Sequence, residues 1–145
     1  MKVVPILILL VGLLSCRPDD VNPEAVTQLV YGQSGGFAGV SYKLTLNDTQ
    51  QRFQSYQCEK VISYTDWRTL LADFNATDYK RLPEKAEPEC CDMFAYSLDI
   101  TTGKKTYHRE WGSFAFGSGE RLPQSIGQLS AKLSDRAWTE AQACQ

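Results

Sequence analysis

From Val40 to Asn47 the apolar residues Val40, Tyr42, Leu44 and Leu46 alternate with Ser41, Lys43, Thr45 and Asn47, the period-two pattern of a strand with one buried face. The alternation returns in Met93 to Thr101, where Phe94, Tyr96, Leu98 and Ile100 take every second place. Thr102-Gly103-Lys104 then turns the chain and Lys105 to Trp111 runs back, which predicts a hairpin. Val26 to Tyr31 is another β-rich run, Gln33 to Gly39 reads as a turn, and Arg52 to Ile62 holds one or two less regular strands after a turn at Asn47-Asp48-Thr49. Two stretches change period. Trp67, Leu70, Leu71 and Phe74 fall at i, i+3, i+4 and i+7 behind a possible cap at Thr65, and Ile126, Leu129, Leu133 and Ala137 repeat the pattern behind Pro123. Between them Asn75 to Pro88 is polar, with Tyr79 and Leu82 as anchors, and Ser113 to Arg121 is a Gly/Ser loop. Strands, helix, hairpin and helix in that order predict an α+β fold, an antiparallel sheet of four to five strands with two α-helices packed on one face.

The first 25 residues stand apart from this pattern. Val3 to Leu14, VVPILILLVGLL, is an apolar run behind Lys2, the h-region of an export signal and short for a membrane span. It ends in Leu13-Leu14-Ser15-Cys16, which resembles a bacterial lipobox, where the signal is cut before an acylated cysteine. That assigns residues 1–15 to a lipoprotein signal, 16–25 to a linker after lipidated Cys16, and 26–145 to one domain. Localisation follows as the bacterial cell envelope at the outer membrane, with several acyl chains as a stable anchor. The linker's acidic pair, Asp19-Asp20, is similar to an export signal of surface lipoproteins.

Composition narrows the function. The chain has 145 residues, 43% hydrophobic, 22% charged and 11% aromatic, with 15 basic against 17 acidic side chains. Losing Lys2 with the signal moves the net charge from −2 to about −3, and no basic block remains to hold nucleic acid. Four cysteines are left, Cys58, Cys90, Cys91 and Cys144. Outside the cytosol they read as disulfides, and the adjacent Cys90 and Cys91 are too close to pair comfortably, so Cys58 and Cys144 are each expected to reach one of them. Adjacent cysteines lack zinc-site spacing, and no metal or other cofactor is expected.

Chemistry-bearing residues are few. His108 is the single histidine, no serine sits in a G-x-S-x-G elbow, and a strand histidine facing water or a cross-strand neighbour is the simplest reading. Asp92, Asp99 and Glu110 are carboxylates that could converge. The expectation is a protein that is not an enzyme. Gly35, Gly36 and Gly39 precede a strand, whereas a phosphate-cradling loop needs a following helix. They suit an exposed hairpin bend offering Phe37 to a partner, or a bend that folds Phe37 back into the core.

Ser34-Gly35-Gly36-Phe37-Ala38-Gly39 followed by an alternating strand resembles the opening of the emfourin family, small protein inhibitors of thermolysin-like metalloproteases. Leu70-Leu71, Asp78-Tyr79, Leu82-Pro83, the Tyr96-Ser97-Leu98-Asp99-Ile100 strand, the Gly103 turn, His108 and Leu122-Pro123 recur in the family's order, covering about Leu29 to Leu133. The lipobox, the four cysteines and the length of Arg52 to Ile62 depart from the family pattern. The resemblance implies noncovalent occlusion of a thermolysin-like metalloprotease, with Ser34, Gly35, Gly36, Phe37, Ala38 and Gly39 as the contacts. The alternative is an envelope lipoprotein that binds another partner or serves a structural role without enzymatic activity.

Overall fold

The ten-residue strand β1, Val26–Gly35, lies between two partners, β2 (Val40–Asn47) and β5 (Phe94–Thr102), and pairs antiparallel with both. Two short strands, β3 (Gln51–Ser55) and β4 (Glu59–Val61), extend the sheet beyond β2, and β6 (Thr106–Gly112) extends it beyond β5. The order β4-β3-β2-β1-β5-β6 is fully antiparallel. This is a computed structural model, and it describes residues 25–36, 39–85, 94–112 and 124–144. Cys16, Phe37, Ala38, Cys90, Cys91, Asp92 and Pro123 therefore lie outside the described residues.

Cross-strand partners share a face, so the register sorts the side chains. Leu29 stands between Leu46 and Ile100, and Tyr31 between Leu44 and Leu98, with all six buried. A register shift between Val26 and Gln28 is what lets Val26 join Leu29 on this face despite a spacing of three. Helix α1, Trp67–Asn75, buries Trp67, Leu70, Leu71 and Phe74 against that layer. Helix α2, Gln124–Gln142, adds Ile126, Leu129, Leu133, Ala137 and Ala141. Both helical stripes thus pack on one face of an α+β fold, and no described helix is long and apolar enough to cross a membrane.

The sheet has six strands where four to five are expected, because Arg52 to Ile62 folds as a real if short hairpin. Arg52 and Glu59 form an ion pair across it, and Lys60 reaches Glu140 of α2 at 2.9 Å. β1 also runs on to Gly35, so Gln33 and Ser34 belong to the strand. Thr65 does not cap α1: the N-cap is Asp66, without a side-chain cap bond.

The largest correction concerns the cysteines. Cys58 is bonded directly to Cys144, with Cα atoms 6.0 Å apart, instead of each reaching the Cys90–Cys91 pair. The β3–β4 turn and the end of α2 arrive at the same end of the sheet, inside the ordinary disulfide distance.

Turns are fixed by side chains. Asn47 Oδ1 accepts the amides of Thr49 at 3.0 Å and Gln50 at 2.6 Å, which closes the β2–β3 turn, and Thr102 Oγ1 accepts those of Lys104 and Lys105 between β5 and β6. The buried Arg109 donates from Nη2 to the carbonyls of Tyr79 and Lys80, clamping the 3₁₀ turn Tyr79–Arg81 onto β6.

Candidate functional site

Ser34 pairs with Ser41 and Ala95, and Gly35 with Val40 and Phe94, so the glycine-rich segment is the tip of the β1–β2 hairpin. Gly39 N donates to Gly36 O at 3.0 Å and closes a four-residue turn. Gly35, Gly36 and Gly39 have φ of 95°, 70° and 59°, a region in which L side chains are strained, and this accounts for three glycines in five residues. Space adds a second demand at Gly36, where a Cβ would lie 2.6 Å from the Phe94 ring. That ring begins an aromatic row along β5 and β6: Phe94 meets Tyr96 at 6.3 Å, and Tyr96 stacks on Trp111 at 5.9 Å. Gly36 is therefore seated against the Phe94 ring as well as held at the end of two paired strands.

Three other pieces reach this end of the molecule. They are the β3–β4 turn with Tyr56, the C-terminal part of α2 with Trp138, and the Cys58–Cys144 bridge joining them. Tyr56 is 81% exposed and Trp138 is 52% exposed, while Trp138 meets Tyr42 edge-on at 6.3 Å. Neither aromatic stands out in the sequence pattern. The signal for Tyr56 is an aromatic flanked by Ser55 and Gln57 with a cysteine two residues on, at a place where the alternation has stopped.

No family model, curated protein or solved structure matches the chain.

The sheet face away from the helices carries the remaining chemistry. The small residues Gly32, Ser34, Ala95 and Ser97 line a trough of about 480 Å³, with Lys43 on one side and Lys85, Asp99 and Glu110 on the other. Beside it His108 stands half exposed between two carboxylates, Nδ1 at 2.5 Å from Asp99 and Nε2 at 2.9 Å from Glu110. These bonds, Asp99 first, raise the imidazole above the ordinary histidine value. Of the three carboxylates named from sequence, Asp99 and Glu110 do converge, but on His108. With both ring nitrogens engaged, the imidazole has none left to accept a proton from a serine or a water. Among the described residues no group of His, Cys, Asp and Glu has the arrangement to hold a metal ion.

Proposed function

We propose that the chain is a lipid-anchored inhibitor of a thermolysin-like metalloprotease, non-enzymatic and acting by noncovalent occlusion, with Ser34 to Gly39 entering the cleft and Cys16 carrying the lipid. One observation carries the reading. Gly36 and Gly39 are joined by a hydrogen bond, Gly36 directly follows a central strand of a six-stranded sheet, and Gly36 lies against the Phe94 ring. A loop whose two ends are fixed before binding loses less entropy on entering a cleft than a free segment does, and fixed ends resist the geometry that cleavage requires. The double engagement of His108 supports the non-enzymatic half of the proposal.

The test is titration of the full-length chain, purified in detergent, against a thermolysin-type metalloprotease. Stoichiometric loss of peptidase activity with the chain left uncleaved is expected. Full activity at micromolar inhibitor overturns the reading. The polar trough on the open sheet face favours the second reading, an envelope lipoprotein that binds another partner there. In that case protease activity is untouched and capture of the partner fails on replacing Lys43 by Glu.

A further inference from the structure

Tyr56 is the most exposed large apolar side chain among the described residues, yet the turn that carries it is tightly built. Ser55 N donates to Cys58 O at 2.8 Å, and the amides of Gln57 and Cys58 each donate to the Ser55 hydroxyl at 3.2 Å. Cys58 is in turn bonded to Cys144 at the end of α2. An aromatic displayed in water on a backbone fixed this way surrenders little freedom when a partner covers it, which is how tyrosine serves as a binding anchor.

Between Tyr56 and the glycine turn lies a hollow of about 240 Å³, bordered by Gly39, Val40, Tyr42, Gln57 and Ala141. None of the residues lining it is charged. Trp138, packed edge-on against Tyr42, extends the patch along α2. Exposed aromatics around an uncharged depression match the centre of a protein interface better than an ordinary solvated surface.

We propose that Tyr56, Trp138 and this hollow form a second contact for the partner that receives the Gly36–Gly39 turn, and that the hollow takes an uncharged side chain from the lip of the protease cleft. This rests on the inhibitor reading above. Gly39 belongs to both features, so a body that closes over the turn also closes over the hollow, which commits the occupant to the same partner. The lining, with Ser41, Ser55 and Gln57 beside the two tyrosines, is uncharged and commits it to an uncharged group, whose entry releases water occupying ~30 Å³ per molecule.

Inhibition constants of full-length wild type, Tyr56→Ala, Tyr56→Phe and Trp138→Ala against thermolysin test the assignment. Tyr56→Ala is expected to weaken inhibition at least tenfold, Trp138→Ala at least threefold, and Tyr56→Phe less than threefold. Unchanged thermal midpoints confirm that the exposed side chains are dispensable for folding. If wild type inhibits and both alanine variants match it, the second contact is overturned and the inhibitor reading stands. If wild type fails to inhibit, both fall.

Discussion

His108 shows how much one residue's surroundings decide. The same imidazole that suggests a general base is held, between Asp99 and Glu110, by two carboxylates on the solvent side of the β5–β6 hairpin. Its folded pKa is raised, so the stability it contributes is whole below the unfolded value of about 6.5 and is lost as pH rises through the folded value. Because the chain has a single histidine, one imidazole proton resonance reports the titration. The midpoint is expected above that of a model histidine, falling further in Asp99→Asn than in Glu110→Gln, since the Asp99 bond is the larger cause. A native midpoint at or below the model value would contradict the clamp. The arrangement was partly readable in advance: a turn at Thr102–Lys105 sets Asp99 opposite His108, and Glu110 lies two residues on along the same face.

Among the elements, the β1–β2 hairpin makes the sharpest prediction, because two of its glycines share one requirement and only one of them carries a second. Gly36→Ala meets both an unfavourable φ of 70° and the Phe94 ring, whereas Gly39→Ala meets an unfavourable φ of 59° with nothing within 4 Å. In urea unfolding Gly39→Ala is expected to cost about 1 kcal/mol and Gly36→Ala about 2 to 3 kcal/mol. Equal costs would show that Phe94 does not support the turn. The alternation in β2 and β5 and the stripes of both helices were legible because each element buries one face of a repeating pattern, and Leu44, Leu98, Phe74 and Leu133 are buried as their spacing requires. The end of β1 was misread as a turn because Gln33, Ser34 and Gly35 carry turn-like side chains; pairing on both edges overrides that preference. The cysteine pairing was not legible, since it depends on where α2 ends relative to β3 and β4, which no local pattern encodes. Tyr56 was missed for a related reason, as exposure is a property of the assembled surface.

At the scale of the whole molecule, the direction of β1 links anchoring to contact. Val26 begins the strand beside Thr102 and Asn75, at the end where the β2–β3 and β5–β6 turns lie, and Gly35 ends it at the glycine turn. Ten residues at about 3.3 Å each separate the two ends by roughly 30 Å. With the proposed lipid on Cys16, the chain would enter the domain at Val26, the end of β1 opposite the proposed interface, and Gly36, Tyr56 and Trp138 are then expected to face away from the bilayer. α2 also ends at the glycine-turn side, and Cys144, just past its last turn, is bonded to Cys58 in the β3–β4 turn beside Tyr56. Moving the anchor to the C-terminus thus predicts the reverse presentation. In vesicles the natural arrangement should inhibit a soluble metalloprotease within about threefold of its potency in detergent, because the cleft-facing end is open to solvent. A variant with Cys16→Ala and an apolar anchor appended after Gln145 should inhibit normally in detergent and at least tenfold less well in vesicles. Equal inhibition by the two arrangements in vesicles would mean that the tether does not orient the domain.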